Sequence, residues 1–492
     1  MSIVRISYVK DTLYKVDADG KLQPTERLGT VTDPTEAFGQ LKELNAHLDS
    51  ELMIGSEKLD QEQPAVVMVH GFWYDPADEP KASANPVGPH SSNNPHLRNF
   101  HFEKDVPKPH WRHTRGWPLG LGFSPNDRGA NGLVIAYGWD STPSALKAGG
   151  HSEAVLDFLS TVATKGETET GREEMVKDLD AARTALETLT SNDTARHLVA
   201  SFKKCADALN KSNKFERARA LVSATPGLKE AIGTALKDTG KEIVPLVDLL
   251  AKYTPEVYAA AYKSAEKAAS GLAAVLFALT SNVQLKDRPI DIFCHSLGSR
   301  VVLRALQQIS KIKPDMLDPE KGISRVLILG GAEYRKPAQD ALNDVLRPQG
   351  AGPTFYNFVG RRDRVLTKIA GDYNPIGGEP RNKEPIGCYG LGNRMMNGGH
   401  WIDIQLDTDA DGSHALNKWL KSKGHDLTVA ATPKAVADEN GTKGPDPMGV
   451  LNHWSYYAND GNLKLFGLIL RKRKDWAVPQ LRKEEPPIPE VK

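Results

Sequence analysis

Continuous apolar runs recur along the chain, and most of them end in a glycine or a turn. "PAVVMVHGF" (64–72), "GLVIAYGW" (132–139), "RPIDIFCHSLG" (288–298), "SRVLILGGA" (324–332) and "TFYNFVG" (354–360) are of this kind. Short runs without polar alternation, rich in β-branched residues, are how strands buried on both faces read. "HWIDIQL" (400–406) predicts a last strand, and residues 3–31 predict short strands around the turn "DADGK". Elsewhere the period changes to that of a helix. It does so in 33–56, entered through Asp33 and Pro34, in about 256–280, in "SRVVLRALQQI" (299–309) and in 461–474. Strands alternating with helices predict an α/β fold, a mostly parallel sheet covered by helices on both faces.

Two stretches break the alternation. Residues 75–131 are rich in Pro, Asn, Gly and His and read as a long loop, which in a compact domain is usually functional. Residues 145–257 contain "EAVLDFLSTVA", "EEMVKDLDAARTALETL", "ARHLVASFKKCADALN" and "VPLVDLLAKY", all helical in spacing and with no convincing strand. The pattern divides the chain into N-terminal strands and a helix (1–62), a first core part (63–144), a lid-like helical insertion (145–257), a second core part (258–474) and a disordered tail (475–492) ending in the Pro-rich "EEPPIPEVK". Helices of the insertion are expected to border the pocket and tune access to it.

Composition narrows the function classes. Hydrophobic residues make up 39% and charged residues 25%, ordinary for a globular protein. Lys+Arg number 63 against Asp+Glu 62, a formal net charge of +1, which gives no argument for nucleic acid or for acidic lipid. The start lacks the apolar run of a signal peptide, and "SGLAAVLFALTS" (270–281) is too short to span a bilayer. Cys205, Cys294 and Cys388 are too few and too far apart for a disulfide framework or a cysteine-rich zinc site. A cytoplasmic setting is the expectation, with signal-independent export and peripheral membrane contact left open. The sequence does not set the oligomeric state.

The chemistry concentrates at "DIFCHSLGSR" (291–300). It approximates the elbow motif G-x-S-x-G, in which a serine sits on a sharp strand-to-helix turn between small residues. Ser296 has the strand before it and Gly298 and the helix after it, but Cys294 stands where the first glycine belongs. A serine that only caps the helix is the plain alternative. Upstream, "VMVHGFWYDP" puts His70 and Gly71 at the end of a buried strand. Together these motifs strongly resemble the α/β-hydrolase superfamily over about 63–144 and 256–470. "His-Gly-aromatic", the Trp-containing strand end "YGWDS" and "HSLG" look like a bacterial branch of its lipase- and esterase-like serine hydrolases.

The resemblance implies a fold and a site. The oxyanion donors would be the backbone N–H groups of Leu297 and of Phe72 or Trp73, with His70 bracing the loop. The family order is serine, acid, histidine. Asp363 in "TFYNFVGRRDRVLTKI" follows a buried strand and reads as the acid; the plain alternative is a solvated carboxylate paired with Arg361, Arg362 or Arg364, and Glu333 and Asp372 are fallbacks. Of His400, His414, His425 and His453, the last stands on a loop between the final strand and the closing helix and reads as the base. Tyr74, His295 and Trp454 are candidate substrate contacts. The expected activity is a serine hydrolase with a Ser296–Asp363–His453 triad and an acyl-enzyme, cleaving a small-molecule or lipid ester of a hydrophobic acyl group, with no cofactor and no metal. A catalytically silent hydrolase fold used for binding is one rival. A metal-dependent hydrolase built on His90, His96, His101, His110 and His113 is another, though their spacing is irregular. "DTDADG" (407–412) begins like a calcium loop, but Lys418 stands at its twelfth position, so an acidic turn is the better reading. "RKRK" (471–474) suits a helix C-terminus rather than a nucleic-acid patch.

Overall fold

The structure is a computed structural model of the 492-residue chain. It describes residues 3–33, 41–53, 63–72, 74–77, 94–102, 116–125, 132–141, 169–189, 193–210, 255–285, 288–346, 352–361, 363, 365–371, 383–392, 399–406, 415–429, 453 and 455–483. Two compact units form, one from 1–141 with 262–492 and one from 142–261.

In the larger unit a nine-stranded sheet runs in the order β3-β2-β1-β5-β4-β6-β7-β8-β9. The strands are β1 (Ile3–Val9), β2 (Thr12–Val16), β3 (Leu22–Thr30), β4 (Ala65–Val69), β5 (Leu133–Trp139), β6 (Ile290–His295), β7 (Ile323–Leu329), β8 (Thr354–Val359) and β9 (Trp401–Gln405). From β1 through β9 every pairing is parallel; β2 and β3 are added antiparallel at one edge. The turn from β1 to β2 uses Lys10 (φ 48) and Asp11 (φ 62), two consecutive positive values that match the twist of a tight hairpin. Edge strand β3 carries Pro24, Glu26 and Arg27 outward, which discourages further pairing.

Helices cover the sheet. They are α1 (Lys42–Met53) and, in the larger unit, α4 (Pro255–Ser281, which begins in the smaller one), α5 (Gly298–Ile312), α6 (Arg335–Val345), α7 (Ala415–Ser422), α8 (Asp460–Arg471) and α9 (Val478–Lys483). The smaller unit contributes α2 (Glu169–Leu189) and α3 (Asp193–Leu209), which pack together. Met175, Leu179, Phe202 and Cys205 are buried within it. The insertion segments "EAVLDFLSTVA" and "VPLVDLLAKY" lie outside the described residues. Among the described residues no helix is long and apolar enough to cross a membrane.

Strands β4, β5, β6 and β7 are buried at every position, as their predominantly apolar sequences require. Inside β6 the charged residue Asp291 is fully buried. It accepts two hydrogen bonds from Arg325, at 3.0 and 2.5 Å, and one from Arg473 at 2.8 Å. Arg325 also donates to the carbonyls of Ile469 and Leu470 at the end of α8. Those carbonyls have no helical partner of their own, so one buried ion cluster also caps the closing helix.

Three expectations need adjustment. The helix predicted over 33–56 spans Lys42–Met53 among the described residues. The closing helix ends at Arg471, not at 474. Residues 475–483 are not part of a disordered tail: Trp476, Val478 and Leu481 are buried, and Tyr356 donates to the Trp476 carbonyl at 2.6 Å. Burying three large apolar side chains favours ordering a short segment by several kcal/mol, on the order of 2 each. Residues 484–492 lie outside the described ones. Within the predicted long loop, two short helical turns, Pro95–Arg98 and Trp117–Gly120, bring Phe100, Trp117 and Phe123 into the core.

Candidate active site

The sheet reverses its winding at β4: β5 lies on one side of it and β6 on the other. In open parallel sheets ligands bind at the carboxyl ends of the strands flanking such a reversal. The ends of β4 and β6 here carry His70-Gly71-Phe72 and Ser296-Leu297-Gly298.

Ser296 has φ +55, left-handed backbone that a residue with a side chain adopts rarely. The cost, about 1–3 kcal/mol, is met by surrounding hydrogen bonds. Its N–H donates to Leu329 O at 3.0 Å. Its carbonyl accepts from Ser299 N (3.0 Å), Ala332 N (3.0 Å) and the Ser299 hydroxyl (2.7 Å). The turn also requires small neighbours. A Cβ on Gly71 would stand 2.6 Å from Ser296 Cβ, and one on Gly298 would stand 2.6 Å from His70 O. Cys294 faces no such limit: it sits in register with Val69 and Ile328, fully buried, and burial pushes its thiol up, so it stays protonated.

His453 Nε2 lies 2.8 Å from Ser296 Oγ, and His453 Nδ1 lies 2.7 Å from Asp363 Oδ2. The carboxylate only accepts, so Nδ1 carries the proton and Nε2 is left to accept from the serine hydroxyl. Asp363 Oδ1 accepts from Leu366 N at 3.0 Å, which fixes the carboxylate at the start of a helical turn, Val365–Ala370. All three residues are nearly inaccessible, at 3% for Ser296, 1% for Asp363 and 4% for His453. Asp363 is therefore no solvated surface charge, and its oxygens face a histidine and a backbone N–H.

The other candidates fall elsewhere. His400 stands just before β9, with Nδ1 3.2 Å from Pro353 O. His425 packs near the Trp476 ring. Glu333 is buried against Arg300, 2.9 Å away, and accepts from the Tyr262 hydroxyl. Tyr74 packs 4.8 Å from the His70 ring, and its hydroxyl donates to Asn99. His295 is buried, with Nε2 3.0 Å from His453 O. Trp73, Trp454, His414, Asp372, Arg362, Arg364, His90, His110, His113 and the acidic turn 407–412 lie outside the described residues. His96 is bonded to Ser7 at 2.8 Å, and His101 lies 3.1 Å from Arg98 O. Among the described residues no group of three His, Cys, Asp or Glu side chains is arranged to hold a metal ion.

The loop after β4 is held from behind. His70 Nδ1 lies 2.8 Å from Gly71 O, its Nε2 accepts from Trp139 N at 2.8 Å, and Trp139 Nε1 donates to His70 O at 2.9 Å. Burial lowers the His70 pKa to about 3, so it is a neutral brace. The N–H of Leu297 precedes the first turn of α5, where helical donors have no partner within the helix.

A family model described as "Alpha/beta hydrolase" matches residues 211–317, the stretch that carries β6, Ser296 and α5. The match and the parallel sheet together give the chain an α/β-hydrolase fold. No curated protein and no solved structure matches it significantly. Two parts of this hydrolase's turn were not anticipated from sequence, namely the Ser299 clamp and the Arg300–Glu333 pair behind it. The residues were visible in "HSLGSR" and "GGAEYR", but a pairing across 33 positions has no periodic signal.

Proposed function

We propose that this hydrolase is a serine hydrolase that cleaves an ester of a hydrophobic acyl group through an acyl-enzyme. The observation that carries the reading is the hydrogen-bonded chain Ser296–His453–Asp363 at the strand ends. Ser296 Oγ attacks the carbonyl carbon while His453 Nε2 takes the hydroxyl proton. Asp363 holds the tautomer and stabilises the imidazolium. The oxygen that becomes negative is met by the backbone N–H groups of Leu297 and of Phe72 or Trp73. Collapse breaks the ester C–O bond, and the leaving alcohol takes the proton from His453. Water then attacks the acyl-enzyme with His453 as base and releases the acid. The hydrophobic acyl group is carried over from the lipase- and esterase-like motifs of the sequence; beside the strand end, half-buried Tyr457 packs 5.0 Å from His295.

The test is labelling with a fluorophosphonate, with the modified peptide located by mass, beside hydrolysis of acyl esters of graded chain length. Labelling at Ser296, lost together with turnover in Ser296→Ala, is the expected result. Label at a different serine, or ester turnover retained in folded Ser296→Ala, would sink the proposal.

A further inference from the structure

We infer that His295 is a positioning residue for the proposed base: its Nε2–H holds the main-chain carbonyl of His453 and thereby fixes the imidazole between Asp363 and Ser296. The inference rests on the serine-hydrolase reading above. Nε2 lies 3.0 Å from His453 O, across 158 positions of chain. A carbonyl only accepts, so the proton is on Nε2. Burial, and then the neighbouring His453, lower the His295 pKa well below the ordinary histidine value, so the ring is neutral and keeps one N–H in place. It is 2% exposed and walled by His453 at 4.6 Å, Tyr457 at 5.0 Å and Tyr456 at 6.1 Å. A Cβ on Gly71 would stand 3.1 Å from His295 Nδ1, so the loop after β4 lies on the same ring.

The placement gives this contact its consequence. His295 is the last residue of β6, hydrogen-bonded in register with Leu329, and Ser296 follows it directly. The nucleophile and the anchor of the base thus share one strand end. A shift of the base by about an ångström is enough to cost on the order of a hundredfold in rate. Removing the anchor should therefore lower the chemical step while leaving substrate binding alone.

The experiment compares wild type, His295→Leu and His295→Gln in full-length protein, with turnover expressed per site titrated by fluorophosphonate so that misfolded molecules drop out. His295→Leu should lose ten- to a hundredfold in kcat with KM changed less than about threefold, and His295→Gln, which keeps an N–H donor, should recover most of the loss. Equal losses in both variants, a loss confined to KM, or wild-type turnover per titrated site in His295→Leu would overturn the inference. Failure of wild type to label at Ser296 would instead overturn the serine-hydrolase reading, and this inference with it.

Discussion

Replacing Gly71 by alanine tests whether the strand-end geometry is the working geometry. The new methyl carbon would stand 2.6 Å from Ser296 Cβ, 2.9 Å from His295 O and 3.1 Å from His295 Nδ1. Ordinary van der Waals contact begins near 3.4 Å, so the first approach is short by about 0.8 Å. Neither neighbour can give way cheaply. His295 is locked in the sheet, and Ser296 is clamped through its N–H and its carbonyl. The loop after β4 must move instead, taking the Phe72 amide outward by close to an ångström. In the proposed mechanism that removes one oxyanion donor, worth about 10²–10³ in kcat, or roughly 3–4 kcal/mol. The assay is kcat at saturating ester per fluorophosphonate-titrated site, with KM and melting temperature beside it. Gly371→Ala is the control, since a Cβ there meets nothing closer than 3.6 Å. Gly71→Ala with wild-type kcat would refute the assignment of the β4 loop to the oxyanion. A loss matched by unfolding alone would refute the claim that the displacement is local.

Other expectations follow from the same contacts. Asp363→Asn presents an amide where His453 Nδ1–H now donates, so the ring should take the opposite tautomer and point an N–H at Ser296. The expected loss in kcat is about 10⁴ with KM little changed, measured on protein of unaltered circular dichroism; a loss below about tenfold would argue against the triad. Arg300 is buried against Glu333 and keeps a second carboxylate, Glu266, at 2.9 Å, so Glu333→Ala should cost about 2–3 kcal/mol in denaturant unfolding, more than Glu333→Gln; equal, small effects would show that the pair is not desolvated as its burial implies. His70 is held neutral, with its pKa lowered from 6.5 to about 3. Its contribution is therefore fully present above pH 6.5 and is lost as pH falls toward 3, about 2 kcal/mol by pH 5. His70→Gln should flatten that part of the pH–stability curve, and an unchanged curve would contradict the brace.

What could be read from the chain divides along a physical line. The parallel strands were legible because full burial writes an unbroken apolar run, as in Ala65–Val69 and Leu133–Trp139. Ser296 was legible because the elbow is local: strand, turn and helix lie within ten residues. His453 and Asp363 were named from order and loop position, since the contacts joining them to each other and to Ser296 span 90 and 157 positions. Pairings of that length leave no periodic trace. Trp476 and Val478 illustrate the opposite error. A segment flanked by charges and Pro reads as a tail, yet three apolar side chains are enough to seat it on the core. The Asp291–Arg325–Arg473 cluster was invisible for the same reason as the triad, because it joins β6, β7 and the chain after α8.

Cys294 shows how the elbow motif should be read. The glycines of such a turn are required where main chain crosses main chain, and here those crossings fall on Gly71, where a Cβ would meet His295 O at 2.9 Å, and on Gly298, where one would meet His70 O at 2.6 Å. Position 294 lies one step earlier, inside β6, where its neighbours are the side chains and main chain of parallel strands at ordinary sheet spacing. A small thiol fits there without strain, and burial keeps it protonated and inert. The steric demand of the turn has been met on the facing loop after β4, by the glycine after His70, so a search for G-x-S-x-G alone looks for one of the glycines in the wrong place.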